Sequence, residues 1–315
     1  MCAIYGFLDY GKKISNKMLK NIIRELSIAA ECRGTDATGI SYVSGGKIVT
    51  FKQPKPAHKM KLYFPKGTTA VIGHNRLTTQ GNEKLNYNNH PFEGKTAQHG
   101  FALAHNGVLY NDKEIRREKS LPKTKIETDS YAAVQLLEKG TAVNMDSVRS
   151  MAEIVYGSFV FTILRDDNTL FLVKGSNPLT LYHFPEIGLY IYASTKEILV
   201  NAMRGARFKA KYKEIPVKSS EVLSIDTDGK ISRGSFQMQE NQMNSCCLLD
   251  WYSTYTGCQL DDLAFICSSF GVDREDVEFL HSCGYTSDEI EDMLLDTDIF
   301  EDVLREAKSL VLSEI

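Results

Sequence analysis

The chain has 315 residues, a formal net charge of −3 at neutral pH and 43% hydrophobic residues, a composition typical of a globular protein with one large or two modest domains. No stretch approaches the ~18 consecutive apolar residues of a membrane span, and the N-terminus lacks the basic and apolar regions of a secretory signal. We therefore expect a cytoplasmic protein that engages neither membranes nor nucleic acid. The seven cysteines show no disulfide framework, which predicts free thiols.

Charge is distributed unevenly along the chain. Residues 240–315 hold three basic and eighteen acidic residues, a net charge of −15. Residues 1–239 hold 34 basic and 22 acidic residues, a net charge of +12. Because two regions of different character meet near residue 240, we predict one domain over residues 2–236 and a second, acidic domain over residues 237–315.

Hairpins with interspersed helices are predicted for residues 2–236. A strand over residues 2–8 precedes a helix whose apolar residues recur at i, i+3, i+4 and i+7, with Ser15 or Asn16 as its cap and Gly34 after its end. The later elements are a hairpin with a Gly-Gly turn (38–51), strands (68–77 and 101–111), helices (127–140 and 145–157) and three hairpins (158–175, 179–194 and 221–236). This pattern predicts an α+β sandwich rather than a parallel βαβ sheet.

The acidic C-terminal region changes to helical patterns. Amphipathic helices are predicted over residues 260–272, 274–285 and 287–311. Their apolar faces need a cover. We expect a small helical bundle that docks electrostatically on the basic domain and leaves some surface for a partner.

Five short stretches carry chemically loaded residues. They are Met1-Cys2, "RGTDATG" at 33–39, "GHNRLTTQG" at 73–81, "HNG" at 105–107 and "ETD" at 127–129. Taken singly, each has an ordinary structural explanation, such as a buried strand residue, a tight turn or a helix cap. Only their combination and order indicate a functional site.

In that order, the stretches resemble the class II glutamine amidotransferases, which are N-terminal nucleophile enzymes, and especially the glutaminase domain of glucosamine-6-phosphate synthase. "NNHPF" at 88–92 is similar to a further loop of the family, and the likeness extends to about residue 236. The resemblance implies a four-layer αββα sandwich with a small helical extension. It also implies a glutaminase that releases glutamate and ammonia.

The resemblance assigns catalysis to Cys2, Asn106 and Gly107. If Met1 is removed, the thiol and an α-amino base with a pKa of ~7.7–8.0 belong to the same residue. The thiolate would attack the glutamine side-chain amide and form a γ-glutamyl thioester, which water then hydrolyses. The Asn106 side-chain amide and the Gly107 backbone N–H would form the oxyanion hole. We expect glycine at 107 because a side chain there would keep the backbone away from the substrate.

Other residues are assigned to substrate binding and support. Arg76 suits the α-carboxylate of glutamine, Asp129 suits its α-ammonium group, and Thr79 supports the carboxylate site. Arg33 and Gly34 are expected to brace the N-terminal loop, and His74 and His105 to be structural hydrogen-bonding residues. Two departures from the nearest relatives, Leu77 for tryptophan and Gln80 for histidine, flank this pocket.

No cofactor or metal is expected. Cysteines and histidine in the C-terminal region lack the spacing of a zinc site; they are Cys246, Cys247, Cys258, Cys267, His281 and Cys283. The roughly 75 residues after the first domain are too few for the acceptor modules of known relatives. We therefore expect the ammonia acceptor to lie on a separate protein. A homo-oligomer is compatible with the sequence.

Two alternatives remain open at this stage. One is a non-catalytic regulatory protein that retains the fold, and the other is an N-terminal cysteine amidase that acts on a different amide. The complete set of Cys2, Arg76, Asn106 and Asp129 argues against the first alternative. The pairing of Arg76 with Asp129, which suits a free amino acid, argues against the second.

Overall fold

The computed structural model describes residues 2–239, 272–283, 285, 290, 293 and 297–313. It divides the chain into two compact units, residues 1–240 and 241–315. In the described parts of both units, no helix has the length and apolar character needed to cross a membrane.

Thirteen strands lie in the described part of the first unit. They are β1 (Ala3–Asp9), β2 (Ala37–Ser44), β3 (Lys47–Gln53), β4 (Ala70–Arg76), β5 (Phe92–Lys95), β6 (Gly100–Leu109), β7 (Gly157–Arg165), β8 (Leu170–Lys174), β9 (Thr180–Phe184), β10 (Leu189–Ala193), β11 (Lys213–Ile215), β12 (Glu221–Ile225) and β13 (Ile231–Ser235). They form a seven-stranded sheet in the order β11-β9-β10-β1-β4-β2-β3 and a six-stranded sheet in the order β13-β12-β8-β7-β6-β5. Neighbouring strands are antiparallel throughout.

Helices cover the outer faces of the two sheets. The helices of the first unit are α1 (Asn16–Ala29), α2 (Asp112–Glu118), α3 (Tyr131–Glu138), α4 (Met145–Ile154) and α5 (Lys196–Gly205). Helices α1 and α5 share a buried apolar cluster with the first sheet. Helices α3 and α4 share a second cluster with the other sheet. Single 3₁₀ turns lie at Ala30–Arg33, Ala57–Lys59 and Asn86–Asn88.

The two faces of strand β1 pack in different layers of the fold. All seven of its residues are buried, because successive side chains of a strand point to opposite faces. Tyr5 and Phe7 pack in the cluster with α1, whereas Ile4 and Leu8 pack in the cluster between the two sheets. The result is a helix–sheet–sheet–helix arrangement, so the expected α+β fold and αββα sandwich are confirmed.

Local signals account for most of these elements. Ser15 caps α1 by accepting a hydrogen bond from the backbone N–H of Met18 (3.2 Å). The predicted Gly-Gly turn is present between β2 and β3, where Gly45 and Gly46 adopt φ of +58° and +70°, as the twist of a tight hairpin requires. The four predicted hairpins and all three predicted separate strands are present. Sequence analysis missed four short elements, which are β5, β11, α2 and α5.

Among the described residues of the second unit there are two further helices, α6 (Arg274–Ser282) and α7 (Thr297–Ser313). Within this unit Val277, Leu280, Ile290, Phe300 and Ala307 form a buried apolar cluster. Part of the predicted apolar helix faces therefore pack on one another. Except for its last residue, the predicted helix over residues 260–272 lies outside the described residues.

A capping box at α4 provides a test of local stability. Asn144 accepts a hydrogen bond from Ser147 N (2.9 Å), and the Ser147 hydroxyl oxygen accepts one from Asn144 N (3.0 Å). Loss of such a cap usually costs ~1 kcal/mol, so we expect Asn144→Ala to lower the unfolding free energy by about that amount in a urea titration. Ser150→Ala, at an exposed position of the same helix, is the control and should cause no loss. Equal stability of the two variants would contradict the capping role.

Candidate active site

The N-terminal cysteine lies beside the end of β4. Strand β1 pairs with β4 so that Ala3 is opposite Asn75, which brings Cys2 next to the segment that follows. The Cys2 thiol donates a hydrogen bond to the carbonyl oxygen of Leu77 (3.3 Å). Arg33 Nε donates to the carbonyl oxygen of Cys2 (2.9 Å). The cysteine is therefore held on both its side chain and its backbone.

Gly34 is required by the closeness of two backbone segments. A Cβ at this position would lie 2.5 Å from the carbonyl carbon of Arg76 and 2.6 Å from Leu77 N, distances that no side chain tolerates. The turn that carries Arg33 can therefore approach the end of β4 only because residue 34 has no side chain. The two residues assigned to bracing thus lie on one turn, with Arg33 against Cys2 and Gly34 against Arg76.

Burial sets the protonation state of the Cys2 thiol. It raises the pKa of the Cys2 thiol above its ordinary value, and the smaller influences include Arg76, which lowers the pKa, and Asp129, which raises it. A thiol with a raised pKa stays protonated at neutral pH. The same influences show that Cys2, Arg76 and Asp129 are close enough to act on one another electrostatically.

Arg76 is a buried cation with neutral hydrogen-bond partners. Its side chain is at the end of β4 and the residue is 2% exposed. Nη1 donates to the Asn89 side-chain oxygen (2.6 Å), and Nη2 donates to the carbonyl oxygens of Gln80 (2.5 Å) and Gly81 (3.2 Å). Within the described residues, no carboxylate forms a salt bridge with it. A buried positive charge without a paired anion favours an anionic ligand.

Asn106 presents a buried amide without a partner. The residue is 0% exposed, and neither its side-chain nitrogen nor its oxygen has a hydrogen-bond partner among the described residues. Its backbone carbonyl is held by Asn177 Nδ2 (2.9 Å). An unpaired buried amide is costly, so this one is a candidate donor to a reaction intermediate or substrate.

The fold requires glycine at position 107 independently of the expected approach of its backbone to the substrate. Its φ is +143°, and a Cβ would lie 1.9 Å from the carbonyl oxygen of Ser158 on the neighbouring strand β7. The nearest obstacle to a side chain is thus the paired strand. Strand pairing alone therefore excludes a side chain at this position, whatever the substrate needs.

Asp129 lies just before α3 and is 4% exposed. Its carboxylate accepts hydrogen bonds from the backbone N–H of Leu109 (2.6 Å) and the hydroxyl of Ser130 (3.2 Å). The contact with Leu109 ties Asp129 to the end of β6, three residues after Asn106. The carboxylate that influences the Cys2 thiol is therefore attached to the same strand end as the unpaired amide.

The histidines of the site are buried and neutral. Burial lowers the pKa of His74 to about 3, and it lowers the pKa values of His90 and His105 below their ordinary value. His74 Nε2 donates to the carbonyl oxygen of His105 (2.9 Å), a contact between the two sheets, and His90 stacks on His74 with ring centroids 4.2 Å apart. Neutral, stacked rings of this kind hold the sheets in register.

The structure places some of the expected residues differently. Thr79 is exposed, whereas its neighbour Thr78 donates its backbone N–H to Asp36 (2.7 Å) and has a buried, unpartnered hydroxyl. Leu77 and Gln80 contact Cys2 and Arg76 through their carbonyl oxygens. Because backbone groups make these contacts, the two departures from the family pattern leave them intact.

Sequence analysis assigned no role to Asn89, the side-chain partner of Arg76. The signal was present in "NNHPF", which we noted as a family loop without a function. Within the described ranges, no group of three or more His, Cys, Asp or Glu residues could hold a metal. Sequence spacing argues against several cysteines as zinc ligands. Four of them, Cys246, Cys247, Cys258 and Cys267, lie outside those ranges.

Comparison with known proteins agrees with this geometry. A family model described as a glutamine amidotransferase domain matches residues 74–201. Glutamine–fructose-6-phosphate aminotransferase from Staphylococcus aureus is 28% identical over 250 residues, which cover 73% of this chain and 38% of that protein. The Bacillus cereus enzyme of the same name is 27% identical and covers 57% of this chain and 30% of its own. The chain thus spans well under half of these relatives.

A solved structure shows the same fold. Glutamine phosphoribosylpyrophosphate amidotransferase from B. subtilis superposes with a TM-score of 0.58 and 20% identity over 76% of this chain and 50% of its own. The resemblance deduced from the five sequence stretches is confirmed by the family model and the relatives together.

The raised pKa of Cys2 has a measurable consequence. In a chain that keeps Met1, alkylation of Cys2 by iodoacetamide should reach half its limiting rate at a pH above ~8.5, the ordinary pKa of free cysteine. The thiolate that reacts is disfavoured by burial, so the midpoint shifts upward. Peptide mass spectrometry across a pH series measures it, with the synthetic peptide Met-Cys-Ala-Ile-Tyr as control. A midpoint at or below that of the peptide would contradict the stated effect of burial.

Proposed function

The chain carries a class II glutamine amidotransferase domain of the N-terminal nucleophile type, and we propose that this domain hydrolyses the side-chain amide of L-glutamine through a thioester on Cys2. One observation supports this most directly. A thiol, a buried unpaired guanidinium, a carboxylate and an unpartnered amide occur around one end of β4 and β6. Binding of a free amino acid and hydrolysis of its side-chain amide require these groups.

The first step needs a base, because the Cys2 thiol is protonated at neutral pH. After removal of Met1, the α-amino group of Cys2 would be free, and its pKa of ~7.7–8.0 leaves part of it unprotonated at pH 7 to 8. It takes the thiol proton as sulfur attacks the amide carbon and later delivers that proton to the departing ammonia. None of the buried, neutral histidines is needed as a base.

The intermediate carries a negative oxygen that must be stabilised. The Asn106 side-chain amide has no competing hydrogen bond among the described residues, so it can donate to this oxygen without first breaking a contact. The Gly107 backbone N–H is the second proposed donor. Preorganised donors of this kind each contribute ~2.7–4 kcal/mol to stabilisation of the transition state.

Arg76 and Asp129 would bind the two charges of the glutamine α-carbon. The Arg76 guanidinium receives the α-carboxylate, which supplies the anion that its neutral partners do not. The Asp129 carboxylate receives the α-ammonium group. Water then hydrolyses the thioester and releases glutamate.

The ammonia would serve an amination reaction. The aminotransferases that match this chain are named for the transfer of a glutamine amide to a sugar phosphate, and the matched region covers 38% of such a protein. We propose that ammonia from this domain is passed to an acceptor on a partner protein. The acidic second unit is the part of the chain that we propose for contact with such a partner.

The nucleophile is tested by substitution and labelling. We expect glutamate release from glutamine by the wild-type protein, no release by Cys2→Ala, and covalent attachment of a glutamine-like diazoketone to a peptide that begins at Cys2. Cys32→Ala removes another free thiol and is the matched control, which should keep full activity. Hydrolysis by Cys2→Ala at the wild-type rate, or full activity with Met1 retained, would contradict the mechanism.

The proposed donor and the proposed binding carboxylate should give different kinetic effects. Asn106→Ala should lower kcat by roughly 10²–10³ with little change in KM, because the donor acts on the intermediate. Its thermal stability should not fall, since the substitution removes an unpaired buried amide. Asp129→Asn keeps an acceptor for Leu109 N but removes the charge, so it should mainly raise KM. The reverse pattern would show that the two roles are exchanged.

A further inference from the structure

The segment of residues 82–91 contacts Arg76 and also Glu127, two residues before Asp129. Asn88 and Asn89 are both 0% exposed. The Asn89 side-chain oxygen accepts a hydrogen bond from Arg76 Nη1 (2.6 Å), and its Nδ2 donates to the carbonyl oxygen of Glu83 (2.8 Å). Because both ends of this amide are occupied, its orientation is set, and it holds the guanidinium in one direction.

Asn88 contacts the stretch of chain that leads to Asp129. Its side-chain oxygen accepts from the backbone N–H of Glu127 (3.0 Å), and its Nδ2 donates to the Glu127 carboxylate (2.7 Å) and to the carbonyl oxygen of Asn82 (3.1 Å). Glu127 is two residues before Asp129. Adjacent asparagines therefore hold the segment that carries the cation and the segment that carries the carboxylate.

Lys52 of β3 holds the backbone next to this asparagine pair. Its ammonium group donates to the carbonyl oxygens of Asn89 (2.5 Å) and Pro91 (2.9 Å) and lies 4.8 Å from the ring centroid of Phe92. Its own carbonyl oxygen accepts a hydrogen bond from Asn86 Nδ2 (2.8 Å). The asparagine pair is thereby attached to β3, the edge strand of the first sheet.

We propose that Asn88 and Asn89 are positioning residues that set the separation of Arg76 and Asp129, and so determine selectivity for an α-amino acid over other amides. The proposal rests on the proposed function of the site. The carboxylate and ammonium groups of glutamine are attached to one carbon, so they can be bound together only at a fixed spacing. Small displacements of binding groups are costly in rate.

The chemistry of the amide side chain suits this task. A carboxylate at position 89 would also hold Arg76, but it would neutralise the guanidinium and compete with the substrate. A neutral amide orients the cation and leaves its charge available. Asn89→Asp should therefore weaken glutamine binding even though it keeps an acceptor for Arg76.

Three substrates distinguish the contribution of Asn89 from that of Asn88. They are L-glutamine, glutaramate, which lacks the α-ammonium group, and 4-aminobutanamide, which lacks the α-carboxylate. Each is measured by hydrolysis, or by its competitive inhibition constant where hydrolysis is slow. Asn89→Ala should lower kcat/KM roughly tenfold for glutamine and glutaramate and leave 4-aminobutanamide within about twofold. Asn88→Ala should lower it for glutamine and 4-aminobutanamide and spare glutaramate.

Lys52→Met gives a variant that touches neither proposed binding charge. It should raise the KM for glutamine with kcat retained, and Lys52→Arg, which keeps the donors, should restore most of the affinity. Asn144→Ala, remote from the site in the α4 cap, is the matched control and should leave all three substrates unchanged. Thermal unfolding of every variant verifies that it is folded.

The outcomes distinguish the two proposals. Hydrolysis of glutamine by the wild-type protein, with equal losses for all three substrates in both asparagine variants, would overturn the positioning role and leave the proposed function standing. Failure of the mature wild-type protein to hydrolyse glutamine would overturn both. Loss for glutamine and glutaramate in Asn89→Ala, together with loss for glutamine and 4-aminobutanamide in Asn88→Ala, would support the positioning role.

Discussion

Burial of the Arg76 guanidinium is the constraint on which the candidate site depends. A cation that is 2% exposed must have its donors satisfied, and here the acceptors are two loop carbonyl oxygens and one asparagine amide. These neutral acceptors satisfy the N–H donors of Arg76 without neutralising its positive charge. The loop that provides them returns across the end of β4, where the same backbone segment accepts the hydrogen bond of the Cys2 thiol. The Cys2 thiol and the Arg76 cation are thus both held by one short stretch of chain.

The two sheets contribute different parts of this site. The first sheet supplies Cys2 and Arg76 from the ends of β1 and β4, and the second supplies Asn106 from β6. Asp129 is attached to the same end of β6. The hydrogen bond from His74 to the His105 carbonyl connects the two sheets directly beside these residues. Because burial keeps His74 neutral, this connection does not change as pH varies through the neutral range. The packed apolar layer between the sheets completes a rigid support.

Stability and the proposed function make opposite demands at Asn106. A buried amide without partners destabilises a folded protein, and nothing in the packing of β6 requires one. Gly107 presents the contrary case, since the paired strand alone requires a glycine there. The presence of a residue that packing does not explain is stronger support for chemistry than the presence of one that packing demands.

Much of the fold was determined by local sequence. The 3.6-residue period of α1, its Ser15 cap and the Gly45–Gly46 turn could all be predicted, because each depends on neighbours within a few positions. Sequence analysis missed α2, α5, β5 and β11. Two of these had local support, since β5 pairs with the adjacent strand β6 and Thr195 caps α5. In contrast, β11 depends on pairing with β9, which is separated from it in the chain by β10 and α5. The sequence also identified Cys2, Arg76, Asn106 and Asp129 as candidates through the order of their motifs. Only tertiary structure decided that, among the described residues, Arg76 has no paired anion and the Asn106 amide has no partner. It also decided that Asn89 contacts Arg76 and that Asn88 contacts Glu127. The contact between Asn88 and Glu127, for example, joins positions 39 residues apart, and no local pattern encodes it.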